Sequence, residues 1–142
     1  MAESESRKEG AVAKQVAALA TDEEHLVMWD IDALLADLLT APSVAVPTAK
    51  LIPARWLSIN REYALTTDVS KPILLFELPE NKAYIADGNH RLYRAAAERV
   101  PEMRVVIVPE AVHLRYLFRC TEKDYHDVIR GLLPEGIFFD RP

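Results

Sequence analysis

Five consecutive residues, Asp87-Gly88-Asn89-His90-Arg91, carry most of the chemistry in this chain, and Arg94 follows one helical turn later. A carboxylate, an imidazole and two guanidinium groups at this spacing can do several things. Arg91, Arg94 and His90 can meet a phosphate or carboxylate through charge-assisted hydrogen bonds. His90 can donate or accept a proton near neutral pH. Asp87 can orient His90 or hold a divalent metal beside phosphates. Each residue also has a structural reading. Asp87 caps a helix through its carboxylate, His90 bonds a carbonyl in the core, and Arg94 pairs with Glu98 at i,i+4, worth only about 0.2–0.5 kcal/mol. Arg91 carries the strongest functional signal. A guanidinium at a helix N-terminus opposes the dipole unless something negative meets it.

The elements around the motif follow from local patterning. Ala83 to Ala86 reads as a short strand, Asp87-Gly88 as a tight turn, and the alanine-rich run from Asn89 or His90 to Ala97 as a helix. Gly88 can take the positive φ that such a reversal requires. The helix then points unpaired N–H groups at whatever sits above the turn, so Gly88, Asn89 and His90 join Arg91 and Arg94 as candidate phosphate contacts. Upstream, Ile73 to Leu78 is a β run, and Pro79-Glu80-Asn81-Lys82 is a turn by composition. Leu92, Ala95, Ala96 and Arg99 share one side of the motif helix, and Pro101 closes it. Arg104 to Val108 then returns as a buried strand. His113 to Cys120 alternates polar and apolar side chains and predicts a further strand. Thr121 to Asp124 reads as a helix start and Gly131 as its stop. Ile137, Phe138 and Phe139 in the tail are expected to pack on the core or to meet a partner.

Lys71-Pro72-Ile73, the strand and hairpin after it, and Ile85-Ala86-Asp87-Gly88-Asn89-His90-Arg91-Leu92-Tyr93-Arg94-Ala95 resemble the core of the ParB/sulfiredoxin-like superfamily over roughly residues 46–108. The resemblance implies an α/β (α+β) domain with a small mixed sheet, Val44 to Ile52 as its first strand, and a site for a nucleotide such as ATP or CTP with Mg2+. Members include nucleotide-dependent partition proteins, nucleases, amino-acid kinases and sulfinic-acid reductases, so the fold is the firmer implication. In the kinase members a carboxylate from the region after the first strand acts as base, and Glu62 is the candidate here. A plain reading makes Glu62 a solvated charge and Trp56 a core plug. The sulfiredoxins carry a reactive cysteine where this chain has Asn89, which argues against sulfinic-acid reduction. The partition proteins place an acidic residue and a second arginine at Asn89-His90, which puts their CTP switch in doubt. The helix-turn-helix domain that they carry after this fold is not expected in these 142 residues.

Before the first strand, Met1 to Glu9 is short, charged and expected to be disordered. Ala11 to Ala20 is expected to be helical, giving an added N-terminal helical segment. Thr21-Asp22-Glu23-Glu24 fits a capping box. The helix after it places Ile31, Leu34, Leu35 and Leu38 on one face, with Pro42 just beyond its end. Trp29, Asp30 and Asp32 read as dipole-complementing or packing residues more than as a site.

The 142 residues suit one domain, taken as 10–142, and half of them are hydrophobic. Net charge is −5, unevenly spread: residues 1–40 hold three Lys/Arg against nine Asp/Glu, whereas residues 88–130 hold eight against six. This favours a compact anionic ligand over a long nucleic-acid track, although a local patch still leaves nucleic acid open as a partner. No apolar run approaches the ~18 residues of a membrane span, and no signal-peptide h-region is seen. The lone Cys120 forms no internal disulfide, reads as inert, and suits a reducing, cytoplasmic setting. Two functions are therefore expected. The first, which the ParB/sulfiredoxin-like resemblance implies, is nucleotide or phosphate binding, with ATP hydrolysis, phosphoryl transfer or nucleic-acid cleavage through His90, Asp87 and Glu62. The second is a non-catalytic module that keeps the fold and binds a protein partner.

Overall fold

The computed structural model describes residues 15–20, 26–53, 56, 59–132 and 137–142. In chain order these form β1 (Val16–Ala20), β2 (Leu26–Asp30), α1 (Ile31–Asp37), β3 (Val44–Pro47), α2 (Arg61–Ala64) and β4 (Ile73–Leu78). Then come β5 (Lys82–Asp87), α3 (Asn89–Ala97), β6 (Glu102–Val108), α4 (Glu110–His113), α5 (Glu122–Leu132) and β7 (Ile137–Phe138). Strands β1 and β2 form an antiparallel hairpin. The other five form a mixed sheet in the order β3-β6-β4-β5-β7, in which β4 and β6 run parallel and the remaining pairs antiparallel. The architecture is therefore α+β.

Strand β4 lies at the centre, and its sequence explains why. Ile73, Leu74, Leu75 and Phe76 are all buried, the continuous apolar run of a strand covered on both faces. Successive side chains point to opposite faces. Leu74 and Phe76 join Trp29, Ile31, Leu34, Tyr125 and Val128 in one apolar layer beneath the hairpin, α1 and α5. Ile73 and Leu75 join Leu51, Ile85, Leu92, Ala95 and Phe139 in the other, beneath α3. Each large apolar side chain taken fully out of water contributes about 1.5–3 kcal/mol. The second layer thus fixes α3, and with it the motif, against β4.

The β4–β5 hairpin also aims the motif. Leu75 faces Ile85 but Leu74 faces Asp87, so Ala86 is an extra residue on β5. Such a bulge bends and twists its strand. It turns the chain just before Gly88, whose φ of +103° closes the reversal into α3.

Several expectations need correction. Val16–Ala20 is a strand, because pairing with Leu26–Asp30 and burial of Ala17 outweigh the helical preference of an alanine-rich run. Residues 1–14 and the proposed capping box at 21–24 lie outside the described residues. The observed cap of α1 is Asp30, whose Oδ1 accepts from the Ala33 N–H at 3.0 Å. The strand beginning at Val44 stops at Pro47, on the sheet edge, where a residue without an N–H is tolerated. His113 to Cys120 is no strand. His113 ends α4 and a 3-10 turn at Leu114–Tyr116 follows, and of this stretch only His113 is fully buried. Gly131 lies inside the last turn of α5. The start of α5 is as expected, with Thr121 Oγ1 accepting from Asp124 N and Asp124 Oδ2 accepting from Thr121 N. The tail does pack back. Strand β7 pairs with β5, Phe139 is buried, and Arg141 makes two hydrogen bonds to Glu77. Among the described residues no helix is long and apolar enough to cross a membrane.

Candidate functional site at the start of α3

Helix α3 begins without a side-chain cap. Its N-cap is Gly88, and the first intrahelical bond runs from Leu92 N to Gly88 O at 2.9 Å. The amides of Asn89, His90 and Arg91 therefore form the open positive end of the helix. Only glycine fits at 88. A Cβ there would stand 2.6 Å from Ile73 Cγ2 and 2.9 Å from Arg91 Nη2.

Arg91 turns back against the strand. Its Nη2 donates to the Pro72 carbonyl at 2.9 Å and lies 3.5 Å from Asp87 Oδ2, so its adverse position near the dipole is offset inside the fold. Its Nε is buried and has no hydrogen-bond partner among the described residues. Asp87 is held from two sides, because Oδ1 accepts from Gln15 Nε2 at 3.0 Å. The Gln15 amide N–H in turn donates to Asp32 at 2.9 Å, which ties the start of the hairpin layer to the motif. Asn89 Nδ2 donates to the Ile85 carbonyl at 3.1 Å. Arg94 donates to Glu98 at 3.0 Å and to the Thr67 carbonyl at 2.5 Å, so it clamps the chain ahead of β4 as well as its own helix. Beside it, Asp68 accepts from the backbone and hydroxyl of Ser70, which holds its carboxyl below the usual carboxylate range.

His90 faces the other way, towards α2. Its Nε2 accepts from the Asn60 amide at 3.1 Å, and the Tyr63 ring meets it edge-to-face at 4.8 Å. With Nε2 accepting, the neutral ring carries its hydrogen on Nδ1, which makes that atom a donor. Asn60 caps α2, its Oδ1 accepting from Tyr63 N at 3.0 Å. Glu62 is exposed on that same short helix, so the fold brings α2 alongside α3. Trp56 packs edge-to-face on Tyr93 at 5.2 Å further along.

Asp87, Gly88 and Arg91 thus share one cluster with Pro72 and Gln15, while His90 sits with Asn60 and Tyr63 and Arg94 with Thr67 and Glu98. Gln15, Asn60 and Thr67 escaped the sequence reading, and Pro72 entered it only among the residues of the resemblance, with no contact to Arg91 foreseen. Asn60 alone left a local signal, a helix-capping residue ahead of a helical turn. The other three act through distant contacts. Asp87 is the one motif carboxylate, and among the described residues no group of three or more His, Cys, Asp or Glu is placed to hold a metal ion. A Mg2+ here would take most of its ligands from water and phosphate oxygens, which is common for that ion.

No family model matches this chain, and neither a curated protein nor a solved structure matches it.

Proposed function

We propose that this protein binds a compact anionic ligand, the phosphates of a nucleotide such as ATP or CTP, at the amino end of α3. The observation that carries this reading is the uncapped start of that helix beside an oriented imidazole. The amides of Asn89, His90 and Arg91 and the His90 Nδ1–H would be the donors. In this role Arg91 frames the turn through Pro72 and adds positive field, while Arg94 steadies the preceding chain. Asp87 would hold Mg2+ beside the phosphates. Glu62 is the carboxylate available to act as base if phosphoryl transfer, hydrolysis or nucleic-acid cleavage follows binding. Such catalysis would consist mainly of positioning and charge stabilisation. The ParB/sulfiredoxin-like resemblance and a cytoplasmic setting belong to the same proposal and rest on the motif residues and the lone cysteine.

A second reading has its own support. Asp87, Asn89, Arg91 and Arg94 each have hydrogen-bond or ion-pair partners within the fold, as residues of a structural clamp would. On that reading the chain is a non-catalytic module that binds a protein partner. A thermal-shift screen of ATP, CTP, ADP and free amino acids, with and without magnesium, separates the two. A ligand present at a hundred times its Kd raises stability by about 2.7 kcal/mol. The anion-site reading requires such a rise for at least one nucleotide. No rise with any of them favours the binding module.

A further inference from the structure

His113 is the only histidine among the described residues that is wholly buried, and it lies away from α3. Its Nε2 sits 2.8 Å from the Glu77 carbonyl oxygen. A carbonyl only accepts, so Nε2 carries the hydrogen and Nδ1 is bare. That Nδ1 is buried with no partner among the described residues. The ring stacks on Phe76 at 4.5 Å and meets Trp29 and Tyr125 edge-on at 5.6 and 5.7 Å. A proton added to Nδ1 would place a charged donor among aromatic faces with no acceptor, an arrangement costly enough to displace the ring.

The groups around His113 are known from each element packed on it. Glu77 on β4 is paired with Arg141, Glu110 on α4 accepts from the Tyr125 hydroxyl at 2.7 Å, and Tyr125 on α5 is itself neutral. Trp29 on β2 carries no charge. Both carboxylates favour the imidazolium, but the burial that opposes it is the larger effect and holds His113 below its ordinary value. The segment around His113 is also held by the Tyr116 hydroxyl on Asp37, by Glu110 on the Tyr125 hydroxyl and by packing of Val112 and Leu114. Just beyond it come the Trp29–Leu117 bridge and the hydrogen bond from Phe118 N to Met28 O. His113 is thus its one fully buried anchor among several partly buried ones.

We infer that His113 is an acid-sensitive bolt: protonation withdraws it from the Phe76–Trp29–Tyr125 box and releases the α4 segment, Glu110 to Tyr116, from strand β4. The sign follows from linkage. The unfolded or released state takes up a proton that the closed state refuses. Closure is therefore fully favoured above pH 6.5 and lost as pH falls below it, up to tenfold in the closing equilibrium per pH unit for one proton. Trp29 sits on the imidazole and reports the change.

The test is a pH titration from 7.5 to 4.5 of the full chain carrying Trp56→Phe, which leaves Trp29 as its one tryptophan. Fluorescence and urea stability are followed alongside His113→Phe in the same background. The expected result is a fluorescence change and a fall in stability below pH 6.5 that His113→Phe removes or reduces to the slope of the carboxylates. The same slope in both proteins overturns the inference. Should His113→Phe not fold, ring NMR of His113 in the parent chain decides. A ring that stays neutral for as long as the native signals persist supports the bolt, and one that protonates near pH 6.5 with native signals unchanged overturns it.

Discussion

Replacing Gly88 by alanine tests the geometry on which the motif depends. Two effects add. At φ +103° an L-residue is strained, at about 1–2 kcal/mol. The new Cβ would also lie 2.6 Å from Ile73 Cγ2, inside a side chain that is completely buried, and 2.9 Å from Arg91 Nη2. Forcing a methyl into a packed core costs about 1–3 kcal/mol. Gly88→Ala should therefore destabilise the protein by about 3 kcal/mol, read as a lower urea midpoint with an unchanged m value. A double-mutant cycle with Ile73→Ala separates the two parts. Ile73→Ala alone should cost about 2–5 kcal/mol by leaving a cavity. In its background Gly88→Ala should cost less, about 2 kcal/mol, because the Cγ2 obstacle is gone while the backbone strain and the close contacts with the Cβ at position 73 at 3.0 Å and Arg91 Nη2 at 2.9 Å remain. A loss under about 0.5 kcal/mol for Gly88→Ala in the parent protein would refute the reasoning. An equal loss in both backgrounds would show that Ile73 is not the obstacle.

Five further substitutions have expected outcomes. Arg91→Ala should lower stability by about 1.5 kcal/mol, because the Pro72 carbonyl and Asp87 lose their partner, and should weaken nucleotide binding; chemical denaturation and titration calorimetry check the two effects. Arg91→Lys should restore only part of either, since a point charge cannot reproduce the planar fork. Phe139→Ala should cost about 3 kcal/mol by opening the layer beneath α3, whereas Phe138→Ala, at an exposed ring facing Lys82, should cost under about 1 kcal/mol, both by thermal melts. Cys120→Ser should leave nucleotide binding unchanged and stability within about 1 kcal/mol, because the thiol only bridges the Met28 amide and carbonyl; a calorimetric titration that lost binding would contradict this.

The sequence shows some of this structure plainly and hides the rest for physical reasons. The run from Ile73 to Val108 is legible because its signals are local: a continuous apolar strand, a turn, a returning strand, a glycine with a special backbone role, and an alanine-rich helix. Val16–Ala20 misleads because its composition suits a helix, and only its partner at Leu26–Asp30 makes it a strand. His113 misleads because two-residue alternation over a few positions looks alike in a strand and in a turn of helix. The candidate site divides in the same way. Gly88 to Arg91 and Arg94 are visible as a motif, and the Arg94–Glu98 pair follows from helical spacing. The direction in which Arg91 points does not. It depends on the Pro72 carbonyl, nineteen residues earlier, which accepts from its guanidinium. Gln15 reaches Asp87 across 72 residues, with nothing in either neighbourhood to announce the contact.

The anion site is tested most directly by following backbone amides in a 1H–15N NMR titration with ATP or CTP, with and without magnesium, and with inorganic phosphate as the minimal probe. An anion bound at the start of α3 must perturb the amides of Asn89, His90 and Arg91 most strongly and saturably, with the His90 ring responding alongside them. Arg91→Ala should weaken the binding by about tenfold or less, because its guanidinium frames the turn and adds positive field and is not itself one of the donors. Saturable shifts confined to another surface, or none at millimolar nucleotide in a folded protein, would contradict the account.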